Sequence, residues 1–346
     1  MNKFNYYGIM VRNNGIFYNG VDFELYGLGE ANIVYEAETE NHFTRFMGIF
    51  NSKTNNCKRV GLIRSTRPHF IQWIMEYQNS FLLHCGGSPE ALKFLEQNEN
   101  NPQLVSYNVF FQKTTDFEVM NFLFEKKYHF GREHQSKMIH FNKQVGRDGA
   151  LRLTTNISSL NSVLNHINIG KRPLLTNTVP KFDMSKERSR LCKGALIKYN
   201  PKYSVQWTFN KLKKQYLRYH FFNLKSRKIR HNTKLWAKTI IIQYVKTKRG
   251  ANCQHNQQKS ADGRNLRLLY HKNQKYCHHN LIQTVGNGRT LILKDGKVSN
   301  GRWIKRNFAT RTQWFNSKLQ EINFGEENVW IQVVNHPTNL IKLILK

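Results

Sequence analysis

The sequence predicts an α+β protein: an N-terminal α/β-type globular domain, a basic helical and extended arm, and a small β-rich C-terminal region. Three observations predict it. Apolar residues in the first 150 positions alternate between helical spacing and short strand-like runs. Charge is split along the chain: residues 1–150 hold 16 Lys/Arg and 15 Asp/Glu, whereas residues 151–346 hold 38 and 7. The last 90 or so residues place glycine-marked turns between apolar runs. The expected segments are a near-neutral domain over 1–150, a polar connection over 151–202, a basic helical region over 203–249 and a basic β-rich region over 250–346.

In order, Tyr6 to Leu28 reads as short strands around Asn13-Asn14-Gly15 and Asn19-Gly20, which are turn signals. Phe70, Trp73, Ile74, Tyr77 and Phe81 follow Pro68 at helical spacing. Ser88-Pro89-Glu90 has the form of an N-cap with proline at the first helical position, opening a helix through Leu95. Leu104 to Phe111 reads as a buried strand, and Thr115 to Glu118 as a capping box before a stripe of Phe117, Met120 and Phe124. The segment from 131 to 200 is polar and weakly periodic, and loops of that length are unusual in a compact domain.

Between 203 and 249, Phe209, Leu212, Tyr216, Tyr219 and Phe222 fall three or four apart, with Lys211, Lys213, Lys214 and Arg218 between them. A helix would then show an aromatic stripe and a cationic face. Leu235, Trp236 and Ile240 resume that stripe, although Thr239 to Val245 reads equally as a strand. Beyond it, Asp295-Gly296 between two apolar runs is a strong hairpin signal, and Val329–Val334 and Leu340–Leu345 read as later strands.

The formal net charge is +32, and from Arg188 to Ala261 there are 19 Lys/Arg and no acid. Ordinary solvated faces mix both signs, so a charge of this kind implies an anionic partner, nucleic acid first and anionic membrane second. A hydrophobic fraction of 39% is enough for a packed core and too high for a fully disordered chain. No window reaches the ~18 apolar residues of a spanning helix. Residues 1–50 carry three Lys/Arg and six Asp/Glu and form neither a secretory signal nor a transit peptide. The expectation is a protein that works where it is made. Five scattered cysteines suggest a reducing compartment rather than a disulfide framework.

Catalytic signatures are scarce. Cys253, His255, Cys277 and His279 (or His278) supply four zinc-type ligands, but their spacing matches no standard finger, and the plainer reading is residues facing RNA. The basic half offers no recognisable carboxylate cluster for metal-dependent cleavage, and no Walker loop or G-x-S-x-G is present. The expectation is therefore no enzyme, no cofactor, no membrane partner and no small-molecule substrate.

With its many Asn, Lys, Phe, Ile and Tyr and its basic arm on a globular domain, the whole chain resembles the divergent ribosomal proteins encoded in AT-rich protist mitochondrial genomes of the ciliate type. His129-Phe130-Gly131 with Lys137-Met138, Phe141 and Gly146-Arg147 resembles an early segment of the second small-subunit protein of bacteria. Val298 to Arg302 with Ala309 to Trp314 resembles part of the third, so the lean is to the small subunit. The resemblance implies a structural constituent of the ribosome, encoded in the organelle and placed in the mitochondrial matrix, with rRNA and neighbouring ribosomal proteins as partners; apart from it, the expected location is the cytoplasm. The rRNA contacts would be Lys211, Lys213, Lys214, Arg218, Lys225, Arg227, Lys228, Arg230, Lys248, Arg249, Arg302, Lys305 and Arg306. The alternatives are an intron-encoded maturase or nuclease, and a viral nucleic-acid-packaging protein.

Overall fold

A computed structural model describes residues 5–13, 25–39, 44–77, 79–98, 104–108, 142–145, 151–164, 183–201, 203–224, 227–252, 278–308, 310–324, 328–335 and 339–345. Its centre is one mixed sheet to which both halves of the chain contribute. The strand order is Glu321–Ile322, Gln313–Phe315, Lys297–Lys305, Gly286–Lys294, Thr239–Val245, Val329–Asn335, Ile33–Glu38, Thr44–Asn51, Tyr6–Arg12, Ser80–His84 and Val105–Asn108, with Ser189–Leu191 paired to Lys297–Lys305 off that path. The halves meet where Ile33 to Glu36 runs parallel to Val329 to Gln332.

The α+β expectation is corrected: the fold is mostly β, and among the described residues no helical arm occurs. The segment read as a basic helix is a hairpin of Tyr203–Asn210 and Gln215–Leu224, followed by Arg227–Ala237. With Gly194–Asn200 and Leu340–Ile344 these strands form a second, five-stranded sheet. Its inward face repeats every second residue. Tyr203, Val205 and Trp207 are buried on one strand, and Tyr216, Arg218 and His220 on the next. Two of those inward positions carry polar side chains, so the period of two was masked. The spacing of three and four in the aromatics ran across a turn.

Each face of the central sheet is covered. The five-stranded sheet and helix α3 (Ile157–Leu164) pack on one face, where Trp207 meets Trp330 edge-on at 5.0 Å. Helices α1 (Pro68–Ile74) and α2 (Pro89–Gln97) pack on the other, with Tyr35 stacked on Trp73 at 4.8 Å. Ser88 caps α2 by accepting from the Ala91 amide at 3.3 Å, with Pro89 at the first helical position, as its sequence predicts. Phe81 lies on a strand rather than on α1. The Asp295-Gly296 hairpin forms, with Lys294 opposite Lys297 and both turn residues at positive φ, 52° and 71°. Val329–Asn335 and Leu340–Ile344 are strands as expected. Within the supposed connection, Asn142–Val145, Leu151–Thr155 and α3 are regular elements. Asn19-Gly20 and the capping box at Thr115 lie outside the described residues.

Candidate functional site

The strands Tyr6–Arg12 and Ser80–His84 are parallel neighbours, with Ile9 opposite Leu83. In open α/β sheets ligands collect beyond the carboxyl ends of parallel strands, and this pair belongs to the parallel edge of the mixed sheet. Here that end is crossed by the segment Leu62 to Arg67. The Arg12 amide donates to the Leu62 carbonyl at 2.8 Å, and the Arg64 amide to the Met10 carbonyl at 3.0 Å. On its other side, the Cys85 amide donates to Arg64, the Thr66 amide to Gly86 and the Ser88 amide to Thr66. Gly86 adopts φ 71°, a left-handed turn that glycine takes without strain. The crossing segment is thus clamped along its length by backbone hydrogen bonds.

Four arginines gather at this clamp. Arg12 and Arg45 lie directly opposite one another across an antiparallel pair, which puts their side chains on one face. That face carries Met10, Met47 and α1. The Arg45 guanidinium donates to the Ser65 carbonyl at 2.8 Å, fastening the strand to the crossing segment. Arg64 is half-buried; Arg67, the N-cap residue of α1, is buried and donates to the Thr66 carbonyl at 2.6 Å. His84 is buried with Nδ1 2.9 Å from the Gly86 carbonyl, and His69 packs against Phe70 and Trp73. Guanidinium groups stay charged at any working pH and offer forked donors matched to carboxylates and phosphates. They hold anions; they do not exchange protons.

A second polar centre sits between the two sheets. Glu36 and Arg218 are fully buried and form an ion pair at 2.7 Å. The Glu36 carboxylate also accepts from Thr44 at 2.8 Å, Tyr203 at 3.2 Å and the Trp330 indole at 3.2 Å. Burial works against the charged guanidinium, but the Glu36 carboxylate more than offsets it and raises the Arg218 pKa. Near it, burial pushes Glu38 up to about 7, opposed by a hydrogen bond from Asn339. A third pair joins Lys305 to Glu76. Both side chains are buried, Glu76 also accepts from the Thr312 amide at 2.7 Å, and burial raises its pKa against the pull of Lys305.

These pairs change the reading of the expected rRNA contacts. Arg218 and Lys305 face the interior, each held by an acid of the first half. Lys211, Lys213 and Lys214 are exposed on the turn between two strands, and Lys248, Arg302 and Arg306 are exposed elsewhere. Arg227, Lys228, Arg230 and Arg249 lie on strands, with side chains outside the described set; Lys225 lies outside the described residues. So do Cys253, His255 and Cys277, while the His279 backbone lies on the strand His278–Ile282. Among the described residues no three metal-type ligands converge. An open groove of about 340 Å³ is lined by Asn287, Arg302, Ile304, Phe315 and Leu319. Sequence reasoning missed the arginine cluster because the near-neutral first half gave no net-charge signal. The dense run Arg59, Arg64, Arg67 before the helix-opening Pro68 was the available clue.

Comparison with known proteins follows the same two halves. Residues 24–140 match the family model described as "Protein of unknown function (DUF3048) N-terminal domain". Residues 195–331 match its C-terminal domain, and the two matches together cover more than half of the chain. A stretch of 70 residues is 41% identical to the "Putative lipoprotein YerB" of Bacillus subtilis, spanning 20% of this chain and 20% of that protein. The crystal structure of YerB from Bacillus subtilis superposes with a TM-score of 0.59 at 17% identity, covering 99% of this chain and 94% of that one. At that identity the superposition speaks for the fold. These matches overturn the ribosomal resemblance, its mitochondrial matrix location and its small-subunit lean. They support neither the maturase or nuclease alternative nor the packaging one. The likeness had rested on residue usage, which follows a genome's base bias, on two short local motifs, and on a basic arm that folds instead as strands of the second sheet.

Proposed function

The chain belongs to the DUF3048 family, and from that premise we propose that it is a non-catalytic protein of the bacterial cell envelope that binds an anionic ligand at the Arg12, Arg45, Arg64 and Arg67 cluster. The single observation that carries this reading is the register that sets Arg12 opposite Arg45, beside a clamped segment bearing two more arginines. Forked guanidinium donors brought together in this way match the oxygens of a carboxylate or phosphate group. The envelope setting is supported by the description of the Bacillus subtilis relative as a lipoprotein. The absence of catalysis is supported by the chemistry of the cluster, whose guanidinium groups bind and orient without acting as acid or base.

The test is a thermal-shift series with inorganic phosphate, pyrophosphate and citrate against sodium chloride at matched ionic strength. The wild type is expected to gain several degrees with at least one of these anions, and Arg64→Gln and Arg45→Gln to lose that gain. A shift equal to that of chloride, or one that both variants retain, would overturn the reading.

A further inference from the structure

The turn Lys211 to Lys214 closes the hairpin of the second sheet beyond its last cross-strand pair, Asn210 with Gln215. The Lys213 amide donates to the Asn210 side chain at 3.0 Å, and Lys214 sits at φ 47°, so the turn is tight and built. All four of its residues are exposed, and Leu212 at its centre is 96% exposed. Behind the tip, the Phe209 amide donates to the Lys193 carbonyl at 2.7 Å, and the Cys192 amide to the Gly296 carbonyl at 2.8 Å. Those bonds bring exposed Lys193 and Leu191, itself 52% exposed, to the same end of the molecule. An apolar side chain is therefore presented outward between the lysines of its own turn, with Lys193 behind it and the Asp295-Gly296 turn beside Phe209.

We infer that this end of the molecule docks on the surface of an anionic lipid bilayer, with Leu212 entering the acyl boundary and Lys193, Lys211, Lys213 and Lys214 held at the headgroups. Charge complementarity selects the occupant's sign, because among the described residues this end exposes Lys193, Lys211, Lys213 and Lys214 against one exposed acid, Asp295 of the neighbouring hairpin turn. The leucine selects its kind. A nucleic acid or polyphosphate would engage the lysines and leave Leu212 in water, whereas a bilayer interface takes both. Lysine suits these positions, since its stem lies along apolar surface while its ammonium stays with the headgroups. Each lysine near an anionic leaflet multiplies partitioning about fivefold, and burying one leucine adds roughly tenfold or more. None of the clustered arginines takes part, so this inference and the anion site stand or fall separately.

The experiment is co-sedimentation of the full chain with phosphatidylcholine vesicles, with and without phosphatidylglycerol. The wild type is expected to bind only the anionic vesicles. Leu212→Ser should weaken partitioning about tenfold, and K211E/K213E/K214E should abolish it. Reversing Lys248, Arg302 and Arg306, also exposed, should leave most of the binding and so controls for net charge. Unchanged melting curves would show that each variant folds. Absence of binding to the anionic vesicles, or Leu212→Ser binding as the wild type does, would overturn the inference. So would equal losses from the two charge reversals.

Discussion

The Arg218 guanidinium donates to the Glu36 carboxylate at 2.7 Å across the space between two packed sheets, with no part of either side chain exposed. Glu36 lies on the strand where the two halves of the chain meet, and Arg218 belongs to the covering sheet. Removing one partner of such a pair strands the other charge in the interior. Glu36→Gln or Arg218→Met should each cost about 3–5 kcal/mol in urea unfolding. The double change Glu36→Leu with Arg218→Met should recover much of that loss, because no charge then remains buried. Single changes costing under about 1 kcal/mol would contradict the geometry.

Glu38 gives the fold a pH dependence. Burial raises its pKa from 4.5 to about 7, so the folded state favours the protonated acid. That contribution is complete below about pH 4.5 and is lost as pH rises through about 7. The span corresponds to about 3 kcal/mol at most. Unfolding free energy measured between pH 5 and 8 should fall more steeply in the wild type than in Glu38→Gln, which carries no proton to lose. Parallel profiles would exclude Glu38 as the cause.

The Lys305 and Glu76 pair ties the C-terminal strand Lys297–Lys305 to the segment after α1. Lys305→Met leaves Glu76 buried without its cation and should cost about 3–5 kcal/mol. The Thr312 amide donates to the same carboxylate, so its hydrogen exchange should quicken in this variant beyond what global destabilisation accounts for. A purely global effect would show as equal acceleration at Thr312 and at amides of the central strands.

Thiol labelling should separate the described cysteines. Cys57 and Cys192 are buried, and burial pushes Cys57 up to about 12 and raises Cys192 as well. The thiolate is the reactive form, and Cys85 is half-buried beside the arginine clamp. Site-resolved alkylation at pH 8 should modify Cys85 before Cys57 and Cys192, which wait for unfolding. Early modification of Cys57 would contradict its placement.

Local signals in the sequence carried some elements and misdirected others, for one physical reason. The cap at Ser88, the turn at Asp295-Gly296 and the apolar run Val329 to Val334 are each decided by a few adjacent residues, and each forms as expected. The hairpin around Lys211 is decided at long range, by what Arg218 and His220 meet across the core. A buried charge reads as an exposed one until its partner is located, and Glu36 lies 182 positions away. The same distance misled the charge argument for the basic half. Two of its cations, Arg218 and Lys305, are neutralised by Glu36 and Glu76 of the other half. The arginine clamp was illegible for a related reason, since the register of Arg12 with Arg45 exists only once two strands are paired.

The parallel pairing of Ile33–Glu38 with Val329–Asn335 governs the order of events during synthesis. An emerging chain can pair Ile33–Glu38 with Thr44–Asn51 early, but its other edge must wait for almost the entire polypeptide. Until residue 329 arrives, that edge presents unmatched amides and carbonyls able to recruit a strand from another molecule. Completion of the central sheet is therefore a late and slow step, set by closure of a very long loop. Productive maturation favours low crowding of nascent chains, or a holding factor that shields the open strand until the C-terminal half is made.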